Sequence, residues 1–97
     1  MYESVKTDTF TTWLHNLTDI RAKARIRARI ERAEKGNFGN WSAEGGEVRA
    51  MVIDYGPGYR LYYTIRRNKI ILLLCGGDKG TQKADIKRAH EIVKEIK

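Results

Sequence analysis

The stretch from Asp54 to Asp78 places the strongest constraint on the fold of this chain. It contains two runs rich in aromatic, leucine and β-branched side chains, Tyr59 to Ile65 and Ile70 to Cys75. Gly56-Pro57-Gly58 precedes the first run and forms a turn, because proline presets φ and glycine supplies positive φ values. Arg67-Asn68 separates the two runs. The pattern predicts consecutive antiparallel strands.

The run Ile70 to Cys75 carries no polar side chain, so both of its faces must be covered. We therefore expect it to be the central strand, with helices on at least one face. Glu47 to Tyr55 alternates and predicts the first long strand. Between the helices and this strand, Asn37 to Gly46 is rich in Gly and Asn and predicts a connecting loop. Phe38 and Trp41 are expected to attach that loop to the core.

An edge strand and three amphipathic helices account for the rest of the chain. Tyr2 to Lys6 alternates weakly and predicts a short edge strand. The N-cap candidates of the helices are Thr7-Asp8-Thr9, Thr18-Asp19 and Thr81, and Gly36 ends the second helix. The apolar stripes are Phe10, Trp13, Leu14 and Leu17; Ala22, Ile26, Ile30 and Ala33; and Ile86, Ala89, Ile92, Val93 and Ile96. This order predicts one α+β domain over residues 1–97.

Composition narrows the class of protein. No apolar run approaches the roughly 20 residues that a membrane helix needs, and the first residues lack the apolar core of a signal peptide. We therefore expect a cytoplasmic protein that does not enter the membrane. The single cysteine, Cys75, excludes an internal disulfide and is expected to be a buried core thiol. His15 and His90 fall on separate helices without a ligand set, so neither metal nor cofactor is expected.

The chain has a net charge of +7, which indicates a polyanion or an acidic protein as partner. Basic residues concentrate on the second helix, where they outnumber the local acids Glu31 and Glu34. They are Arg21, Lys23, Arg25, Arg27, Arg29 and Arg32. A solvated helix face is one explanation. Arginine is also the better phosphate ligand, which favours a nucleic-acid or ribosome contact.

Several segments together resemble one protein family. They are Tyr55-Gly56-Pro57-Gly58-Tyr59-Arg60 with Tyr62-Tyr63, Leu72 to Lys79, Gln82 with Asp85, Ile86 and Ala89, Thr7 to Phe10, Trp13-Leu14, the arginine-rich helix, and Gly36 to Gly39. This combination closely resembles the addiction-module killer proteins, HigB-like toxins of the RelE/ParE superfamily, over essentially the whole chain. The resemblance implies an N-terminal helical hairpin packed on a small twisted antiparallel sheet, plus a C-terminal helix.

The resemblance also implies function and partners. Many RelE-like relatives cut messenger RNA on the ribosome, whereas ParE-like relatives on the same scaffold inhibit DNA gyrase without cutting, so the fold does not decide. The expected partners are a cognate antitoxin, of the helix-turn-helix DNA-binding kind, the ribosome with its messenger RNA, and operator DNA through the antitoxin. A plain RNA-binding module is a further alternative, although no RRM-type signature is present.

Cleavage of RNA through its own 2′-hydroxyl requires proton removal, charge stabilisation on phosphate and protonation of the leaving oxygen. Arg60 matches the superfamily arginine that binds the scissile phosphate; a structural pair with Asp54 or a C-terminal carboxylate is the alternative. Tyr62 shares the sheet face of Arg60 and either contacts RNA or is a half-buried strand tyrosine. Lys79 matches a second cation of the RelE-like nucleases. A lysine at a strand end beside Gly76-Gly77 can approach a phosphate closely, but a nucleotide-binding loop is rejected because the P-loop spacing is absent.

Weaker candidates complete the predicted site. Those for RNA or phosphate binding are Arg49, Lys83, Arg25 and Arg29, and those for a general acid or base are Asp85 and His90. In one position the chain departs from the family pattern, because Val52 stands where an arginine is expected. Arg49 cannot replace that arginine, since it faces the other side of a regular strand. The departure predicts a weakened nuclease, or a gyrase inhibitor or inactive scaffold that only binds antitoxin.

Overall fold

A computed structural model describes residues 1–96, in which a five-stranded sheet has helices on both faces. The elements are β1 (Glu3–Lys6), α1 (Asp8–Asn16), α2 (Ile20–Glu34), β2 (Trp41–Ala43), β3 (Arg49–Ile53), β4 (Tyr59–Arg66), β5 (Ile70–Asp78), a short 3₁₀ turn (Lys79–Thr81) and α3 (Gln82–Glu95). The strand order is β1-β5-β4-β3-β2. The predicted α+β class and the C-terminal helix are confirmed.

The sheet is mixed, so the expectation of an antiparallel sheet was wrong for one edge. β1 runs parallel to β5, with Glu3 opposite Ile70 and Lys6 opposite Leu73. The chain leaves β1, forms two helices and three strands, and only then returns beside β1, a crossover that makes the pair parallel. The other strand pairs are antiparallel. β4 and not β5 is the central strand.

Local signals place the helix ends and the turns as predicted. The Thr7 hydroxyl accepts a bond from the Phe10 amide at 3.1 Å, and the Asp19 carboxylate accepts bonds from two amides at the start of α2. Arg67 and Asn68 both have positive φ, at 56° and 55°, which closes the three-residue hairpin loop between β4 and β5. Thr81 makes no capping bond, however, because the turn before α3 is capped by Asp78.

Two apolar cores lie on opposite faces of the sheet. The first is formed by α1, α2 and one face of β3, β4 and β5, and it contains Phe10, Ile26, Leu61, Tyr63 and Leu73. The second lies under α3 and includes Tyr62, Cys75, Ala89 and Val93. β5 is therefore covered on both faces, as its wholly apolar sequence predicted.

The connection between α2 and β3 differs from the expected loop. It contains the edge strand β2, which pairs with β3. Phe38 packs on the first core, with its ring stacked 5.6 Å from that of Tyr63. Trp41 does not attach the segment to the core, since its side chain is 43% exposed on the edge strand. Ile96, predicted to continue the stripe of α3, is also exposed.

No helix within residues 1–96 has the length and the apolar character required to cross a bilayer.

Candidate functional site

The Gly-Pro-Gly turn forms one wall of an open cleft, here named the turn cleft. Its lining residues are Asn40, Val52, Asp54, Gly56, Pro57, Gly58, Arg60 and Lys79, and its volume is about 300 Å³. β4 supplies Arg60 immediately after the turn, and the 3₁₀ turn after β5 supplies Lys79. The structure thus brings together two of the three residues predicted to be catalytic.

Arg60 is held by the turn and not by a carboxylate. Its Nη1 donates to the carbonyl of Gly58 at 3.0 Å, and it forms no ion pair with any carboxylate of residues 1–96. Gly58 has φ +82°, and a Cβ built on it would lie 3.0 Å from that same Nη1 and 3.7 Å from the Cβ of Lys79. The alternative pairing of Arg60 with Asp54 is therefore not formed. Its guanidinium keeps donors for an anion in the turn cleft.

The 3₁₀ turn that carries Lys79 is fixed by its own hydrogen bonds. The Asp78 carboxylate accepts from the amides of Gly80 at 2.8 Å and Thr81 at 3.2 Å, and Asp78 N donates to the Thr81 hydroxyl. The Thr81 hydroxyl also lies 2.5 Å from an Asp85 carboxylate oxygen. Lys79 is exposed at this turn, so a rigid base presents a cation to the turn cleft.

Val52 lies directly opposite Arg60 across β3 and β4. It is half-buried and lines the turn cleft. Arg49 faces the other side of the sheet, as predicted, opposite Tyr63 and with its guanidinium over the ring of Trp41. No arginine of the described strands takes the place of the expected family residue at position 52.

Tyr62 lies in the second core and not on the surface. Its side chain is fully buried, and its hydroxyl has no hydrogen-bond partner. Burial raises the pKa of Tyr62, and the charges of Asp85 and Glu44 raise it further. Because α3 covers the ring, a base cannot stack on it in this conformation.

The two glycines at the end of β5 leave room for neighbouring side chains on opposite faces of the sheet. A bulge at Leu74, between the partners of Tyr62 and Tyr63, shifts the register of β5. A Cβ on Gly76 would lie 2.2 Å from a ring carbon of Trp13, and a Cβ on Gly77 would lie 1.8 Å from a carboxylate oxygen of Asp85. Protein side chains therefore fill the space beside both glycines.

The predicted acid or base residues on α3 lie apart from the turn cleft. Asp85 is buried above Gly77, where it holds Thr81. His90 places Nε2 2.9 Å from the carbonyl oxygen of Glu44. Since a carbonyl oxygen only accepts, Nε2 carries the proton in this contact. Lys83 is exposed near the start of the helix and does not line the turn cleft.

A second cleft follows α2 and shares Asp54 with the turn cleft. Named here the arginine cleft, it is lined by Arg25, Ala28, Arg29, Arg32, Ile53 and Asp54 and has a volume of about 260 Å³. Arg25 is exposed and stacks over the ring of Tyr55, with 4.5 Å between its guanidinium carbon and the ring centroid. The two clefts meet at the carboxylate that ends β3.

Arg29 is a structural residue and not a free phosphate ligand. Its Nη1 donates to the carbonyl of Val52 at 2.5 Å, and its Nη2 donates to those of Phe38 at 3.0 Å and Asn40 at 2.9 Å. Burial lowers the pKa of Arg29. The guanidinium joins α2 to two segments that wall the turn cleft.

Sequence reasoning missed Asn40 and a role for Asp54 in the site. Asp54 is exposed, and it supplies the carboxylate among the lining residues of the turn cleft. The signal available for Asp54 was a carboxylate two residues before the Gly-Pro-Gly turn, with Arg60 two residues after it. Two cations and one carboxylate in one cleft can bind a phosphate and accept a proton from a neighbouring hydroxyl.

Neither a protein-family model nor a solved structure matches the chain. Sequence comparison finds an uncharacterized protein of Haemophilus influenzae that is 44% identical over 88 residues, which cover 91% of this chain and 89% of the relative. At this identity and coverage, the chain belongs to the same family as that Haemophilus influenzae protein.

Proposed function

We propose that this chain is the toxin of a type II toxin–antitoxin pair, with a RelE/ParE-like fold, and that it acts as a ribosome-dependent endoribonuclease on messenger RNA. The observation that carries the proposal is the convergence of Arg60 and Lys79 in the turn cleft, beside the Asp54 carboxylate. The family segments of the sequence and the net charge of +7 support it.

The arrangement suits attack by the 2′-hydroxyl of RNA on its own neighbouring phosphorus. Asp54 accepts the hydroxyl proton as the 2′ oxygen bonds to phosphorus. The guanidinium of Arg60 binds the phosphate oxygens, where negative charge increases in the transition state. The bond from phosphorus to the 5′ oxygen breaks, and the ammonium of Lys79 donates a proton to that oxygen. The products are a 2′,3′-cyclic phosphate and a 5′-hydroxyl, and the route uses no metal ion.

The expected partners follow from the same assignment. A cognate antitoxin of the helix-turn-helix kind would neutralise the toxin and carry it to operator DNA. The positive charge of this chain suits an acidic antitoxin surface as well as the RNA of the ribosome.

The decisive experiment maps the ends of a reporter transcript by primer extension after the chain is induced in growing bacteria. We expect cuts within translated codons that decrease on the order of 10²-fold or more in Arg60→Ala. Arg88→Ala, which removes an exposed arginine on α3 outside both clefts, is the matched control and should cut like the parent. Circular dichroism establishes that both variants fold. Cuts that persist in Arg60→Ala would contradict the site assignment.

One observation favours a second candidate function, a gyrase inhibitor or an inactive scaffold that only binds antitoxin. The partner of Arg60 across the strands is the apolar Val52, so the turn cleft lacks a cation that the nuclease families use there. Growth arrest without transcript cuts would support the gyrase inhibitor. Antitoxin binding without growth arrest would support the scaffold.

A further inference from the structure

Trp41 and Arg49 form an exposed stacked pair on the outer edge of the sheet. The guanidinium carbon of Arg49 lies 5.0 Å from the centroid of the Trp41 ring, and both residues are exposed. The two side chains share a sheet face, because Trp41 lies opposite Met51 and Arg49 lies two positions before Met51 on β3. Trp41 is 43% exposed, so part of its ring is open to solvent beside the guanidinium.

The pair lies next to the turn cleft along the chain. Asn40 lines that cleft, and Trp41 follows it directly. The carbonyl of Asn40 accepts from Val52 N at 2.8 Å and from Arg29 Nη2 at 2.9 Å. This part of the wall is therefore fixed to both β3 and α2. Trp41 shares its sheet face with Arg49, whereas Val52 of the turn cleft lies on the opposite face, so a polymer strand reaches the ring from the cleft by passing over the edge strand β2.

We propose that Trp41 and Arg49 form a base-stacking site for single-stranded RNA outside the turn cleft. Every nucleic-acid base has a flat π-face that stacks on an aromatic ring or on a guanidinium plane, while arginine also attracts the phosphate backbone. The second pair, Arg25 over Tyr55, places another cation on an aromatic ring beside the arginine cleft. An acidic peptide would use the charges, but Asp and Glu side chains have no aromatic ring that could stack on Trp41. The identity of the ligand rests on the proposed function.

Tryptophan fluorescence gives a direct test of stacking. The chain has two tryptophans, Trp13 and Trp41, and subtracting the Trp41→Phe signal isolates the emission of Trp41. The probe is a 2′-O-methyl hexaribonucleotide, which cannot be cut because its 2′ oxygens are blocked. We expect it to quench Trp41, and we expect Trp41→Ala to weaken its binding about tenfold in fluorescence anisotropy. An abasic hexanucleotide of equal charge should bind without quenching.

Three results would overturn the proposal. They are affinity unchanged by Trp41→Ala, equal quenching by the abasic probe, and equal quenching by a polyglutamate peptide, which would assign the surface to an acidic protein. Arg49→Gln keeps the ring and removes the guanidinium, and it should weaken binding of the hexamer without abolishing the quenching. If Trp41→Ala fails to fold, the binding and quenching of Arg49→Gln test the stacking site instead.

These outcomes separate this inference from the nuclease assignment. Transcript cuts with no dependence of binding on Trp41 would overturn the stacking site alone. Quenching by the hexamer together with an absence of cuts in cells would leave the stacking site in place and overturn the nuclease.

Discussion

Val52 and Arg60 lie opposite each other on neighbouring antiparallel strands, and both side chains line the turn cleft. Directly opposed side chains have Cβ atoms about 5 Å apart. A group introduced at position 52 therefore lies within reach of the same part of the turn cleft as Arg60.

Val52→Arg should increase transcript cleavage by about tenfold or more, because it adds a second guanidinium where charge develops on phosphate. Primer extension after induction measures the rate of cut formation. Val52→Met changes the shape of the side chain without adding charge and should cut like the parent. Equal cutting by Val52→Arg and Val52→Met would show that position 52 does not contact the phosphate.

Arg29→Met should reduce the free energy of unfolding by about 2–4 kcal/mol, because three carbonyl oxygens lose a charged donor. Urea denaturation measures the loss. Arg32→Met, an exposed position one turn further along α2, is the matched control and should change stability by about 0.5 kcal/mol or less. Similar losses in the two variants would mean that the carbonyl contacts of Arg29 contribute little.

Gly77→Ala should destabilise the fold by about 2 kcal/mol or more, because the new methyl group would lie 1.8 Å from the Asp85 carboxylate unless α3 shifts. Thermal unfolding followed by circular dichroism measures the change. Gly80→Ala, whose Cβ would lie 3.2 Å from an Asp78 oxygen, needs a smaller adjustment and should cost less. A larger loss of stability in Gly80→Ala than in Gly77→Ala would show that α3 does not pack closely on β5 in solution.

Stability should fall as the pH rises above about 9, because burial raises the pKa of Cys75 from 9.0 to about 12. Between these values the unfolded chain releases the thiol proton and the folded chain keeps it. The slope approaches about −1.4 kcal/mol per pH unit for this group, and its contribution is complete below pH 9.

The test of this pH dependence compares urea midpoints at pH 8.0, 9.5 and 10.0 for the parent and for Cys75→Ala. Buried tyrosines add to the decline, since burial also raises the pKa of Tyr63, to about 12, whereas an unfolded chain releases that proton near pH 10. This addition is common to the parent and to Cys75→Ala, so the difference between them reports the thiol. We expect a shallower decline in Cys75→Ala. Parallel declines would show that the thiol reaches solvent in the folded chain.

The sequence predicted the helix starts and turns, because residues close together in the chain determine them. Thr7 and Asp19 fixed two helix starts, and the Gly-Pro-Gly and Arg67-Asn68 turns fixed the hairpins around β4. Placing Arg60 and Lys79 on adjacent strand ends was enough to anticipate their shared cleft.

Features set by distant packing could not be read from the sequence. The parallel position of β1 depends on β5, far along the chain. The bulge at Leu74 decides which faces Gly76 and Gly77 present, and so whether they meet ligand or protein side chains. Tyr62 and Tyr63 point to opposite faces of the sheet, as expected for neighbours in a strand. The ring of Tyr62 is buried only because α3 packs over it.

The pairing of β1 with β5 affects when the sheet can form during translation. The hydroxyl of Thr7 donates to the carbonyl of Leu74, 67 residues further along, and β1 has no other strand neighbour in the sheet. Contacts so distant in sequence form late and slow folding. During translation, β1 cannot join the sheet until β5 has left the ribosome, so a nascent chain without β5 lacks the finished sheet.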